Sequence, residues 1–374
     1  MQRFLLFFLC LLGTVSLSAQ SFVKTISHGG LSRTARIYVP ATYAPGTPAP
    51  LVFNLHGFTS SASQQELYAQ MNAVADTAGF IVAYGEGVNA TWNAGLLPNS
   101  VDDVGFISAM IDSLQVDYTI DPARIYSCGM SMGGFMSYRL ACELEGRIAA
   151  IASVTGLMAE DLAATCNPTR PVPVLQMHGT LDGVVPYNGS AGFHLSVDST
   201  VNFWRNFNAC QDPVVVTNLP DLVFEGSTGE TYFYGGCQAN TEVLLYRFEN
   251  HAHAWPGALP LVPGITNQDV EGSVEIWNFF RRHPHPNPVL TSTRPSVLPQ
   301  VEFYPQPASH QLQLRGIGEA VQIEISDVRG QFMGHWSLAA NATQTVDVST
   351  WAPGIYLAQI RGASAQTHRK FVVQ

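Results

Sequence analysis

The chain has 374 residues, more than one compact domain usually needs. Charged residues make up 12% of the sequence and hydrophobic residues 46%, which excludes a disordered acidic protein. The net charge of −10 makes nucleic acid an unsuitable partner, because an acidic surface repels phosphate backbones.

The N-terminal segment has the pattern of a secretory signal peptide over residues 1–19. Arg3 precedes an apolar run from Phe4 to Leu12, and small residues lead to an exit near Ala19. That run is too short to span a bilayer, and no later stretch is long enough. The sequence therefore predicts export without a transmembrane segment.

Residues 20–283 are predicted to form a doubly wound, mostly parallel α/β sheet. Two segments, 22–27 and 32–40, look like antiparallel edge strands. Apolar runs that suit buried parallel strands follow at residues 50–56, 80–84, 124–128, 148–154, 171–178 and 242–248. Helical stripes lie between them, formed by Leu67, Met71, Val74 and Ala78, by Val104, Ile107, Ile111 and Leu114, and by Ile276, Phe279 and Phe280.

The composition changes after His283. Residues 284–300 are rich in Pro, Ser and Thr without an apolar period, which predicts an extended linker. Residues 301–374 alternate apolar and polar positions in short segments separated by Gly, Asn and Pro, which predicts a small all-β sandwich. This segment contains no cysteine, and its acids and bases balance, so we expect no catalysis there.

The C-terminal segment resembles the type A sorting domain of the bacterial type IX secretion system. The resemblance rests on FYPQPASHQLQL at 303–314, ISDVRGQ at 325–331, VDVSTWAPGIYLAQI at 346–360 and the terminal HRKFVVQ. Gln306 stands where the motif usually has Asn. The resemblance implies a Gram-negative source, export through the periplasm and recognition by the type IX machinery; a carbohydrate-binding or adhesive module is the alternative.

The motif GMSMGG, Gly129 to Gly134, lies between a predicted buried strand and a predicted helix. Glycines on both sides of Ser131 allow the sharp strand-to-helix turn that exposes a nucleophilic serine hydroxyl. Such a hydroxyl needs a base to take its proton. We therefore expect an acidic residue and then a histidine to follow Ser131 in the chain.

Asp182 follows a predicted strand at the position expected for the acid, whereas its rivals Asp198, Asp212 and Asp221 follow no comparable strand. For the base, HAHAWPG follows the strand at 242–248 and contains two candidates. His253 is preferred because Trp255-Pro256-Gly257 fixes the turn behind it, and His251 remains the alternative. The pair could instead bind a metal, but no third ligand has suitable spacing.

The oxyanion of the tetrahedral intermediate requires backbone donors, and we assign the N–H groups of Met132 and Phe58. Export permits disulfides among the five remaining cysteines. Cys128 ends the strand before the elbow and is expected to be a buried thiol. The predicted pairs are Cys210 with Cys237 and Cys142 with Cys166.

Residues 22–282 resemble the secreted esterase family that groups polyhydroxybutyrate depolymerases with feruloyl and acetyl xylan esterases. The matching stretches include PLVFNLHGF, VDDVGFISAMID, DPARIYSCGMSMGGFMSYRLACEL, PVPVLQMHGTLDGVVPY and HAHAWPG. The resemblance implies the α/β-hydrolase fold and the triad Ser131, Asp182 and His253. It also implies substrate contacts at Trp92 and Trp255.

These features predict a cofactor-independent serine esterase acting on a polymeric ester substrate. Feruloyl or acetyl esters of plant polysaccharide are the preferred substrates. Polyhydroxyalkanoate depolymerisation is the nearest alternative, a peptidase of the same fold is a weaker one, and a catalytically inactive surface binding protein is the remote one.

Overall fold

The structure is a computed structural model that describes residues 19–96, 99–259, 263–289, 300–318, 320–362 and 366–374. The chain divides into two compact units, residues 1–291 and 292–374. The predicted signal peptide lies outside the described residues, apart from Ala19. Among the described residues, no helix combines the length and the apolarity needed to cross a membrane.

A ten-stranded mixed sheet forms the centre of the larger unit. Its strands are β1 (Gln20–His28), β2 (Leu31–Val39), β3 (Ala49–Leu55), β4 (Ile81–Gly85), β5 (Ile120–Met130), β6 (Ile151–Val154), β7 (Val174–Gly179), β8 (Val215–Asn218), β9 (Thr228–Tyr234) and β10 (Val243–Glu249). The spatial order is β1-β2-β4-β3-β5-β6-β7-β10-β9-β8. The six strands from β4 to β10 in this order are mutually parallel, and antiparallel pairs flank them on both sides.

Helices cover both faces of this sheet. They are α1 (Ala62–Ala69), α2 (Met71–Ala78), α3 (Asp103–Asp117), α4 (Met132–Glu143), α5 (Glu160–Thr165), α6 (Val197–Phe207) and α7 (Gly272–Phe280), with short 3₁₀ turns at Val88–Ala90 and Gln238–Asn240. Successive side chains of a strand point to opposite faces. Phe53 therefore joins the core that contains α3, α4 and α6, and Val52 joins the core that contains α2 and α7. The predicted α/β fold is confirmed.

The prediction of one continuous helix for the first apolar stripe is wrong. Gln70 adopts a left-handed conformation with φ of 51° and separates α1 from α2. Leu67, expected in the core, is consequently 80% exposed, while Met71 is buried. The break turns the end of α1 toward the carboxyl edge of the sheet, where it contributes to the site described below.

The smaller unit contains two antiparallel sheets with a common core. One consists of β11 (Gln300–Tyr304), β12 (Gln311–Ile317) and β15 (Thr343–Asp347). The other consists of β13 (Val321–Asp327), β14 (Phe332–Leu338), β16 (Gly354–Arg361) and β17 (Gln366–Val373). Leu312 from the first sheet and Ile323 from the second are fully buried in that core, which is the predicted sandwich.

The first part of the predicted linker is attached to the larger unit. The backbone N–H of His285 donates to the Ala123 carbonyl at 2.7 Å, and that of Val289 donates to the Gly146 carbonyl at 2.7 Å. The larger unit therefore includes residues 284–289, contrary to the predicted boundary at His283. Residues 290–299 of the predicted linker lie outside the described residues.

Candidate active site

Ser131 occupies a single-residue turn between β5 and α4. Its φ of 54° and ψ of −120° are strained for a residue with a side chain, as in a nucleophile elbow. Its N–H donates to the Val154 carbonyl at 2.8 Å, which anchors the turn to β6. The turn needs a glycine at position 133, because a Cβ there would lie only 2.5 Å from the carbonyl carbon of Leu55.

Asp182 lies in the loop after β7 and is 5% exposed. Its Oδ1 accepts the backbone N–H groups of Val184 at 2.9 Å and Val185 at 2.8 Å. Its Oδ2 accepts from Nδ1 of His253 at 2.7 Å. Burial opposes ionisation of this carboxyl, but His253, with smaller contributions from His178 and the Val185 N–H, outweighs that effect and holds the Asp182 pKa below its usual value. The arrangement fixes an ionised carboxylate against one imidazole.

The two histidines of HAHAWPG have different environments. The loop after β10 directs the His253 ring toward Asp182 and toward the same cleft as Ser131. His251 is 1% exposed; its Nδ1 accepts the Asn267 N–H at 2.8 Å, so its Nε2–H donates to the Ala254 carbonyl at 3.1 Å. Burial lowers the His251 pKa. Both nitrogens of His251 are thus used within the protein, which favours His253 as the base.

His178 supports the acid from the end of β7. The side-chain amide of Gln176 donates to His178 Nδ1 at 3.1 Å, which leaves the proton on Nε2. Nε2–H donates to the Val185 carbonyl at 2.9 Å and lies 3.4 Å from Asp182 Oδ2. Burial lowers the His178 pKa to about 4, so the ring is neutral at pH 7. It fixes the acid loop without competing for a proton.

The loop after β3 lies directly beside Ser131. A Cβ built on Gly57 would be 3.3 Å from Ser131 Cβ and 3.8 Å from Ser131 Oγ. His56 holds this loop: its Nδ1–H donates to the Gly57 carbonyl at 2.7 Å, and its Nε2 accepts the Gly87 N–H at 3.0 Å. Phe58 comes next and lines the cleft.

Met132 begins α4, where the first N–H groups of a helix have no intrahelical acceptor. The positive end of the helix dipole also lies there, beside Ser131. The N–H groups of Met132, which follows Ser131, and of Phe58, which follows Gly57, stay the predicted oxyanion donors.

A cleft of about 810 Å³ contains both reactive side chains. Its lining includes Gly57, Phe58, Gln64, Leu67, Tyr68, Gln70, Met130, Ser131, His253 and Leu259. Phe58 is 58% exposed and Leu259 is 71% exposed, so the walls near the opening are apolar. Sequence reasoning missed Leu67 and Tyr68, because a helix break cannot be recognised from the apolar pattern of α1 and α2.

Trp92 and Trp255 are buried rather than placed in the cleft. They are 2% and 1% exposed, which corrects the expectation that they contact substrate. The Trp92 indole N–H donates to the His56 carbonyl at 3.0 Å and so supports the loop at Gly57. The Trp255 backbone N–H donates to the Tyr68 hydroxyl at 3.3 Å, which ties the His253 loop to α1.

The structure contains the two expected disulfides. Cys142 on α4 is joined to Cys166 after α5, and Cys210 is joined to Cys237. Cys128 is a buried free thiol whose pKa is raised by burial, which makes it unreactive. Among the described residues, no group of three His, Cys, Asp or Glu side chains is arranged to hold a metal ion.

The larger unit has six parallel strands with helices on both faces of the sheet. Ser131, Asp182 and His253 lie at the carboxyl ends of these strands. This is the α/β-hydrolase fold. Residues 98–208 match the phospholipase/carboxylesterase family, and residues 302–374 match the secretion system C-terminal sorting domain. The second match indicates an exported protein, as the sequence predicted.

The chain is also similar to curated esterases. It is 27% identical over 265 residues to a bifunctional acetylxylan esterase/xylanase of Neocallimastix patriciarum, covering 70% of this chain and 35% of that protein. It is 31% identical over 236 residues to feruloyl esterase B of Piromyces equi, covering 59% of this chain and 42% of that protein. The chain thus spans less than half the length of either relative.

Among solved structures, an acetyl xylan esterase from Aspergillus awamori aligns with 62% of this chain and 94% of its own. The TM-score is 0.47 and the sequence identity is 16%.

Proposed function

We propose that the chain is an exported serine esterase that cleaves feruloyl or acetyl esters of plant polysaccharide. The observation that carries this proposal is the strained Ser131 turn in the same cleft as His253, whose Nδ1 is held by Asp182 at 2.7 Å. A nucleophile, a base and an orienting acid are the groups that acyl transfer through a serine needs.

In the proposed mechanism, Ser131 Oγ attacks the ester carbonyl while His253 Nε2 takes the hydroxyl proton. Asp182 keeps the other proton on Nδ1 and stabilises the imidazolium. The N–H groups of Met132 and Phe58 hold the oxyanion, and the tetrahedral intermediate collapses as His253 returns its proton to the departing alcohol. Water, deprotonated by His253, then releases the acid from Ser131 by the same steps.

The substrate class is supported by the relatives and by the cleft. The relatives named above include an acetylxylan esterase/xylanase and a feruloyl esterase. Phe58, Leu67 and Tyr68 give the cleft an apolar, partly aromatic wall that suits a phenolic acyl group. Tyr68 adds a hydroxyl that accepts a backbone N–H and retains its own hydrogen for donation.

Export is proposed to depend on the smaller unit. Residues 302–374 would present the protein to the type IX secretion machinery, and the larger unit would carry out the reaction. Both disulfides lie in the larger unit, which suits an oxidising destination.

The test is a substrate screen with the purified full chain and the Ser131→Ala variant. Methyl ferulate or acetylated xylan should be hydrolysed at least about tenfold faster, as kcat/KM, than a polyhydroxybutyrate suspension. The variant should be inactive on all three. Preferential release of hydroxybutyrate would replace the proposed substrate class, and equal activity of the variant would refute the serine mechanism.

A further inference from the structure

A second pocket lies outside the catalytic cleft and has no lining residue in common with it. Its volume is about 430 Å³, within the range of small-ligand sites. The loop after β7, the first turn of α6, and strands β9 and β10 form its walls. The mechanism proposed above does not use it.

The lining of this pocket is aromatic and polar. Tyr187, Tyr232 and Tyr234 contribute rings, and Asn188, Asp198 and Arg247 contribute hydrogen-bonding groups. Most small-molecule sites are mainly apolar, whereas here the one aliphatic side chain is Leu245. Tyrosine rings pack on the C–H faces of a sugar, and amide and carboxylate groups bind its hydroxyls. This combination suits a polyol better than a lipid or an acyl chain.

The local charge argues for a neutral ligand. Arg247 is already paired, with Glu249 at 2.6 Å and with Glu230 at 3.4 Å. Asp198 adds a third carboxylate, and Arg205, 5.4 Å from one of the tyrosine rings, adds a second cation. Carboxylates therefore outnumber guanidinium groups, which disfavours uronic acids and phosphates.

The pocket is close to Asp182, but Tyr187 and His178 lie between the pocket and that carboxylate. Thr180 and Tyr187 line the pocket from the same loop that carries Asp182. The Tyr187 ring lies edge-on to His178 at 6.0 Å, and His178 lies against Asp182. A ligand in the pocket would thus leave the cleft free for an ester on the same polymer.

We propose that this pocket is a second binding site for a neutral oligosaccharide, a stretch of the glycan whose ester enters the cleft. The identity of the glycan rests on the proposed function, but the site itself does not. Binding there would hold a polymeric substrate near Ser131 without contributing to the chemistry.

The first test measures binding of xylohexaose to the full-length Ser131→Ala protein by calorimetry. Two pocket substitutions, Tyr232→Ala and Asn188→Ala at an exposed position, are each added to the Ser131→Ala protein. Each should weaken binding by about tenfold or more. Phe233→Ala is the matched control, because Phe233 is the next residue of β9 and points to the opposite face. It should bind like the parent. Unchanged binding in both pocket variants, or no saturable binding by the parent, would overturn the proposal.

The second test uses the same substitutions with Ser131 intact. Hydrolysis of p-nitrophenyl acetate and methyl ferulate should be unchanged, while kcat/KM on feruloylated arabinoxylan should fall about tenfold for Tyr232→Ala and Asn188→Ala. An equal fall on the small ester would overturn the proposal, because it would indicate damage to the active site. If the protein bound xylohexaose in this pocket but cleaved neither ferulate nor acetyl esters, the site would stand and the proposed function would fail.

Discussion

Replacing Asp182 by Asn should abolish most activity while leaving the fold intact. Two backbone N–H groups, at 2.9 and 2.8 Å, bind Oδ1 of Asp182 and require an oxygen at that position. The amide of Asn must therefore turn its NH₂ toward His253. That NH₂ can only donate, so Nδ1 of His253 would become an acceptor and the ring proton would move to Nε2. An imidazole in this tautomer cannot take the proton of Ser131.

The expected loss in kcat is roughly 10⁴-fold, the size of effect that the wrong histidine tautomer causes in a serine triad. KM on p-nitrophenyl acetate should change little, because the cleft walls are untouched. Asp212→Asn makes the same chemical change at an exposed aspartate that the sequence left as a rival, and it should retain full activity. Near-normal kcat in Asp182→Asn, with an unchanged melting temperature, would refute this account of the acid.

Other consequences follow from the histidines and from the boundary between the units. His253→Ala should lower kcat as much as Ser131→Ala does. His251→Ala should keep the activity but lower the free energy of unfolding, measured by urea titration, by about 1–3 kcal/mol, because it leaves buried hydrogen-bond partners unsatisfied. The reverse ranking would exchange the roles of the two histidines. Burial lowers the pKa of His56, His178 and His251, so the unfolded chain binds more protons below about pH 6.5. Stability should therefore fall as the pH is lowered from 6.5 to 5, by up to about 1.4 kcal/mol per pH unit from His178 alone, and a flat profile in urea unfolding would contradict this. A chain that ends at residue 289 should keep full activity on p-nitrophenyl acetate. A chain that ends at residue 283 should be less stable, since it lacks two backbone hydrogen bonds to the larger unit. Equal melting temperatures of the two chains would contradict this.

The sheet was predictable because burial on both faces leaves nearly continuous apolar runs. Each of the six parallel strands corresponds to such a run. The edge strand β8 was missed because its apolar run is short and all four of its residues are exposed, so neither length nor alternation marks it as a strand. β9 was missed for a related reason, since most of its side chains are only partly buried.

The site residues were predictable where chain order and local glycines constrain them. They were less predictable where tertiary contacts determine the position of a side chain. The elbow at Ser131 is encoded by the nearby glycines at positions 129, 133 and 134. The choice between His251 and His253 depends on Asn267 and Asp182, which are distant in sequence. Trp92 could not be placed from the pattern, because an indole serves equally to bind a ligand or to support a loop. The break at Gln70, which brings Leu67 to the cleft, carries no glycine or proline to reveal it.

The central claim is that Ser131 is the nucleophile of an ester hydrolase. The most direct test is to treat the purified full chain with a fluorophosphonate probe, digest it and locate the adduct by mass spectrometry. The account predicts one adduct, on Ser131, formed at a rate that falls by several orders of magnitude in His253→Ala. Labelling at another residue, or equal labelling of Ser131→Ala, would contradict it.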